Sequence, residues 1–295
     1  MIGTGNFQDA LEPIAIKNYG LGFKEIPPER DMLYTVKTSK KLTETYLEIG
    51  DIGAMNELTG DLEYEDIQQG YKMTLTAREY AKGIKIQKKF VLTDQLDIVE
   101  GLPKLLGLAA RRRIAGDVMA NFNDAFNTSY TTIDGLQLCS SAHTSNNGGS
   151  SQSNLGTTAF SEAAVDAARI AMKDFMTNTD QEFEVNPDLL VVPRALEKSA
   201  YELINSSGKV DTANNNTNFH KGKYKLLVSD RLDDSNNWFF IDSELLKLFA
   251  VWNNVAPLEF GQAEQFDGFA ARYRAYMFYS FGIRDWRPVF GSQVS

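Results

Sequence analysis

His143, His220 and Cys139 are the residues of this sequence best suited by type to hold a metal or attack a substrate. Zinc sites gather cysteine and histidine at short, set spacings, and neither histidine has a partner at such a spacing. Both read as loop histidines, and no metal is expected. Ser140 and Ser141 lie close to His143, which raises a Ser–His nucleophilic pair. Catalytic triads converge from distant elements, and no GxSxG elbow is present. The segment reads instead as a polar loop in which the serines and the histidine are solvated. No GxxxxGK[ST] or GxGxxG phosphate cradle occurs, and Gly148-Gly149 reads as a flexible surface loop, so no cofactor is expected. Cys139 is the single cysteine, can form no internal disulfide and suits a reducing compartment. These readings leave no catalytic, cofactor-binding or metal residue and point away from an enzyme.

Arg111-Arg112-Arg113 is the one dense basic run. Successive helical residues fan out by about 100° each, so the three cannot line one phosphate row. Salt bridges and a solvated face are expected there, with weak DNA contact as the alternative. The formal net charge is -9. Tight nucleic-acid binders are usually basic, because affinity comes from neutralising phosphates. The Asn215-Asn216-Thr217 acceptor triplet reads as chance in a chain without a recognisable secretory signal. No run of about 18 apolar residues is present, so no membrane helix is expected.

The surrounding elements read as a mixture of helices and strands, an α+β chain. Residues 1–42 carry Pro13 and Pro27-Pro28 and suggest an extended arm with a short helix near Phe7 to Glu12. From 43 to 92, alternation is the signal. Thr45, Leu47 and Ile49 alternate with Tyr46 and Glu48; Met73, Leu75 and Ala77 alternate with Lys72, Thr74, Thr76 and Arg78. Between these strands lies an acidic, turn-rich stretch. The two strands make a long hairpin with too few large apolar residues for a core of its own. An isolated hairpin is marginal in water, so this one must lie against its own domain or a neighbouring subunit. Thr93-Asp94 is a plausible cap for a helical turn ending at Glu100. Gly101 interrupts it, and Pro103 opens a second helix from Leu102 to about Phe126. Further on come a helix at 161–176 capped by Ser161, a buried strand at 189–192 and a helix at 194–204. Strands at 224–228 and 238–241, a helical turn at 243–249 and a long β stretch at 269–286, interrupted near Gly282, complete the chain.

Four segments together carry a resemblance. They are Lys82-Gly83-Ile84-Lys85-Ile86 running through Leu92-Thr93-Asp94 into the long helix, and Asp134-Gly135-Leu136-Gln137-Leu138 ahead of His143. The others are Pro187-Asp188-Leu189-Leu190-Val191-Val192-Pro193 with Leu196, Glu197 and Ala200, and Asp285-Trp286-Arg287 before Gly291-Ser292. In this order the chain resembles the major capsid proteins of tailed bacteriophages, in particular the Mu-like major head subunit group, from about Thr43 onward.

The resemblance implies a tailed-phage major capsid fold. It would comprise an N-terminal arm (1–42), an extended β-hairpin loop with peripheral strands (43–92) and a peripheral domain with a long spine helix (93–133). An axial domain (134–265) and C-terminal peripheral strands (266–295) would follow. It implies self-assembly as a homo-oligomer of pentamers and hexamers into an icosahedral shell around double-stranded DNA. It also implies a portal, a separate scaffolding protein, an optional decoration protein, weak non-specific DNA contact and no membrane. Virion capsid, and host cytoplasm during assembly, would be its locations. Glu57, Asp61, Glu63, Glu65 and Asp66 form an acidic tip that could meet a neighbour or be solvated. Arg78 and Lys82 join them as candidate subunit contacts. An encapsulin-like nanocompartment shell, or an α+β enzyme or binding module acting as monomer or dimer, are the rival readings.

Overall fold

The computed structural model describes residues 29–49, 57, 64, 69–87, 96–145, 149–208, 217–265 and 270–294. The expected helix near Phe7 to Glu12 and the cap at Thr93-Asp94 lie outside them.

The elements are α1 (Glu29–Leu33), β1 (Thr35–Thr38), β2 (Thr43–Ile49), β3 (Gln69–Thr76), β4 (Arg78–Gln87) and α2 (Leu96–Asn123). They continue with β5 (Leu155–Gly156), α3 (Glu162–Lys173), β6 (Leu189–Pro193), a 3-10 turn (Arg194–Leu196), α4 (Glu197–Asn205), β7 (Lys225–Ser229) and β8 (Trp238–Ile241). The last are α5 (Ser243–Phe249), β9 (Ala250–Gln265), β10 (Ala270–Ile283) and β11 (Val289–Ser292).

Three sheets result. One runs β1-β9-β10-β4, a second runs β5-β11-β8-β6-β7, and β2 and β3 pair alone as the expected hairpin. Sheet membership divides the chain differently from the expected segments. β9 falls inside the span 134–265, yet it pairs with β10 over most of both strands. β11 falls inside 266–295, yet it pairs with β8 and β5. The chain therefore crosses between the two large sheets on entering β9 and again on leaving β10, both at the Ala250–Ile283 end of the ribbon. Residues 29–42 also depart from an extended arm. Leu33 and Tyr34 are wholly or almost wholly buried, and β1 adds to β9 in parallel. Apolar side chains at that spacing need cover, and the body supplies it.

The long helix is one piece. Two helices broken at Gly101 were expected, but α2 continues through Gly101 and Pro103. An internal proline removes one helical N–H donor, and a glycine costs about 1 kcal/mol. Ile114, Val118, Met119 and Phe122 on one stripe of the helix are buried. That stripe packs into a core shared by both large sheets, with Leu189, Val191, Phe239 and Ile241 from one and Trp252, Met277 and Tyr279 from the other. The opposite face of the five-stranded sheet buries Leu190, Val192 and Phe240 against α3 and α4. β6 is buried on both faces, which is why its sequence is an unbroken apolar run. Ser161 caps α3 as expected, accepting from the Ala164 amide at 3.2 Å.

Candidate functional site

The hairpin is seated on its own subunit. Cross-strand register places Glu44 and Tyr46 opposite Leu75 and Met73, with Thr45 opposite Thr74 and Leu47 opposite Lys72. Opposed residues share a face. The Tyr46 face is the half-buried one, while Leu47, Lys72 and Thr74 are exposed. Tyr46 Oη donates to Asn253 Oδ1 at 3.1 Å. The Arg284 guanidinium lies 4.9 Å from the Tyr46 ring centroid. Glu48 accepts from the Tyr71 amide at 3.1 Å through Oε2 and from Asn178 Nδ2 through Oε1. The expectation that the hairpin needs a supporting surface holds for these strands, and the subunit itself provides it.

The long β stretch was expected to break near Gly282, and β10 instead runs unbroken to Ile283. Its register shifts lie earlier, around Tyr276 to Tyr279. Gly282 serves the hairpin: a Cβ there would lie 2.8 Å from Leu75 Cδ2 and 3.3 Å from Met73 Cε. Only a residue without a side chain lets the hairpin settle this closely.

The seam between α2 and the four-stranded sheet holds a buried polar cluster. Asp117 Oδ2 accepts from Tyr279 Oη at 2.5 Å and from Arg113 Nε at 2.9 Å. Arg113 also donates to Tyr80 Oη at 3.1 Å and stacks on that ring. Burial pushes the Asp117 carboxyl above the usual carboxylate range, although these hydrogen bonds oppose it. Burial likewise raises the Tyr279 phenol. Of the arginine run, Arg113 is therefore engaged within the subunit, and Arg112 is exposed.

Both histidines are buried, which corrects the expectation of solvated loops. His143 is 2% exposed and His220 is 1% exposed. His143 Nδ1 lies 2.6 Å from Asp134 Oδ2, Nε2 lies 3.0 Å from Asn154 Oδ1, and the ring stacks on Trp286. Asn154 Nδ2 donates to the carbonyls of Leu138 and Val289, both at 2.8 Å. That fixes its Oδ1 toward His143 and the Ser140 amide. Burial raises the Asp134 carboxyl, but hydrogen bonds from His143, Thr132 and the Leu136 amide outweigh it, leaving the group below its ordinary value. His220 Nδ1 lies 3.2 Å from Tyr224 Oη, and burial pushes its imidazole below the ordinary histidine range.

This cluster is structural in its connections. Ser140 Oγ accepts from the Ala142 amide, and His143 spends both ring nitrogens on Asp134 and Asn154. Neither nitrogen faces the serine. Beside it, Arg287 donates to Asp285 and to the Met176 carbonyl and reaches Asn178, the partner of Glu48. A polar chain thus runs from the hairpin into the joint beneath Trp286. Gly149 and Ser150 are pinned rather than loose. A Cβ on Gly149 would meet Asn178 O at 2.6 Å, and the Ser150 amide donates to Asp180 at 2.7 Å. Burial pushes the Cys139 thiol up, so it stays protonated and inert.

Among the predicted contact residues, Glu57 is exposed, Arg78 opens the edge strand β4, and Lys82 is exposed along it. Asp61, Glu63, Glu65 and Asp66 lie outside the described residues. No local pattern marks the inward-facing Asp134–His143 pair, because Asp134 and Asn154 flank a loop that reads as uniformly polar. Among the described residues, no group of three or more His, Cys, Asp or Glu could hold a metal ion. No helix there is long and apolar enough to cross a membrane.

A protein family described as "Phage capsid protein" matches residues 70–291. No curated protein matches the chain in sequence. Among solved structures, the procapsid of bacteriophage JBD30 superposes with a TM-score of 0.56 at 13% identity, over 99% of this chain and 76% of that one. A chain of Mycobacterium phage Patience gives 0.58 at 13% identity, over 98% and 87%. The JBD30 capsid decorated with minor capsid protein trimers gives 0.57 at 15% identity, over 69% and 90%.

Proposed function

This chain belongs to the phage capsid protein family, and from that premise we propose that its copies associate as pentamers and hexamers and close into an icosahedral shell around double-stranded DNA. It is a structural protein of the tailed-phage virion and not an enzyme. The family match over residues 70–291 carries the reading. The shape fits it, since a two-stranded excursion outside both large sheets can reach a neighbour's surface. Closed symmetry repeats one set of contacts many times, and obligate interfaces commonly bury more than about 2,000 Å².

In this reading, α2 with the four-stranded sheet forms the peripheral domain, and the five-stranded sheet with α3 and α4 forms the axial domain. Residues 1–28 and the hairpin would reach neighbours. Glu57, Asp61, Glu63, Glu65 and Asp66 at the hairpin tip would contact an adjacent subunit, with Arg78 and Lys82 on the edge strand as further contacts. Placement within the Mu-like group, a portal, a separate scaffolding protein and a decoration protein are parts of the same proposal. The JBD30 relative, whose capsid carries minor-protein trimers, supports the last. Contact with packaged DNA would be weak and non-specific, given the net charge of -9, with the exposed Arg112 as its basic element. Assembly would begin in the host cytoplasm.

Electron microscopy of the purified protein, with nuclease-resistant nucleic acid measured on the same particles, tests this. Closed shells around DNA are expected. Small shells holding protein and no DNA would mark a nanocompartment instead, and free subunits under all assembly conditions would overturn the shell reading.

A further inference from the structure

A concavity of about 560 Å³ opens where the base of the hairpin stands over the joint between the two large sheets. Leu47 of β2, Phe183 and Phe249 at the end of α5 form its apolar walls. Its floor is polar, buried and already satisfied: Asp285 and Asn178 both accept from Arg287. The volume falls within the roughly 300–1,000 Å³ of pockets that hold small ligands.

Arg284 is the unmatched group in this lining. Its backbone is fixed on both sides. Its amide donates to the Phe249 carbonyl at 3.1 Å, and its carbonyl accepts from the Ile133 amide at 2.9 Å. The guanidinium lies 4.9 Å from the Tyr46 ring centroid and 5.7 Å from that of Phe249. It donates to the carbonyls of Leu248 and Phe249, the last residues of α5. Capping a helix end in this way is a structural role that arginine suits. A guanidinium nevertheless has more donors than two carbonyls use, and carbonyls do not cancel its charge. Among the described residues, no carboxylate pairs with Arg284. Asp285 pairs with Arg287, Glu48 accepts from the Tyr71 amide and from Asn178, and Glu182 stands exposed at the rim. A half-buried cation without a counter-ion, lining an apolar-walled cavity, suits an anion that brings its own apolar body.

We propose that this concavity binds a small organic acid, its carboxylate on Arg284 and its apolar body between Leu47, Phe183 and Phe249. The guanidinium is already held in place, so little ordering is required on binding. The site lies within one subunit and does not depend on the shell reading above.

Equilibrium dialysis of the full-length chain against phenylbutyrate, and against its uncharged amide, tests this. Saturable binding of the acid is expected, with the amide about tenfold weaker. Arg284→Gln should weaken the acid about tenfold, and Arg284→Lys, which keeps the charge, by less than about threefold. Leu47→Glu, at an exposed position, should also weaken it about tenfold by placing a rival carboxylate at the mouth. A misfolded chain would lose binding with lysine as with glutamine, so equal loss in those two variants would overturn the assignment. Equal binding of acid and amide, or no saturable binding, would overturn it as well. Acid taken up by free subunits and excluded from particles would assign the cavity to an interface between copies, and would also overturn the proposal.

Discussion

Leu75 of the hairpin rests directly on Gly282 of β10, where an added Cβ would come within 2.8 Å of Leu75 Cδ2. The contact couples an element that reaches outward to one of the two inner strands of the four-stranded sheet. Gly282→Val should push Leu75 and Met73 away and cost about 1–3 kcal/mol, as overpacked sites usually do. Thermal unfolding of the purified chain checks this. An unchanged midpoint would mean that the hairpin is not seated as described.

Glu48 is the polar half of that seat. Glu48→Ala removes the acceptor of the Tyr71 amide and the partner of Asn178 Nδ2. A net hydrogen bond is worth about 1 kcal/mol, or roughly fivefold in an opening equilibrium. Hydrogen exchange at Tyr71 should accelerate by about that factor, while amides of β6 exchange as before. Equal acceleration in β6 would show that the substitution loosens the whole fold instead.

Asp117 is held above the ordinary carboxylate range by burial, so the folded chain binds its proton at a higher pH than the unfolded chain does. Its ionisation therefore lowers stability as pH rises from the ordinary value, 3.8, through the raised one. Asp117→Asn keeps an acceptor for Tyr279 Oη and should shift stability at neutral pH by less than about 1 kcal/mol. Asp117→Ala leaves that hydroxyl unpaired and should cost about 1–3 kcal/mol. Denaturant unfolding of both variants decides this, and an Asn variant as damaged as the Ala variant would contradict it.

Asp134 has the opposite sign. Its carboxyl is held below 3.8 by His143, Thr132 and the Leu136 amide despite burial. The stability it contributes is present above 3.8 and is lost as pH falls through the lowered value. Asp134→Asn should cost about 1.5–3 kcal/mol at pH 7 and should flatten the loss of stability in acid. Unfolding midpoints measured from pH 7 down to pH 3 would show it, and parallel curves for the two chains would refute the assignment.

Much of the architecture is legible in the sequence because local signals and packing agree. The run Leu189 to Val192 announces a strand buried on both faces, Ser161 announces the cap of α3, and alternation at Met73 and Leu75 announces the hairpin. β9 was missed because Asn253-Asn254 and Pro257 break its apolar pattern, although its partner β10 holds it in place. The joining of α2 across Pro103 was missed because a local rule about proline yields to the core beneath the helix. The buried state of His143 depends on Trp286, more than a hundred residues away, and no local pattern carries that. The neighbourhood of Lys85 and Arg272 appears only once β4 and β10 are in register.

The native mass of the purified chain tests the central claim most directly. The subunit weighs 33.0 kDa. Light scattering or sedimentation under assembly conditions should find megadalton particles. A single species at the subunit or dimer mass under all of those conditions would contradict the account.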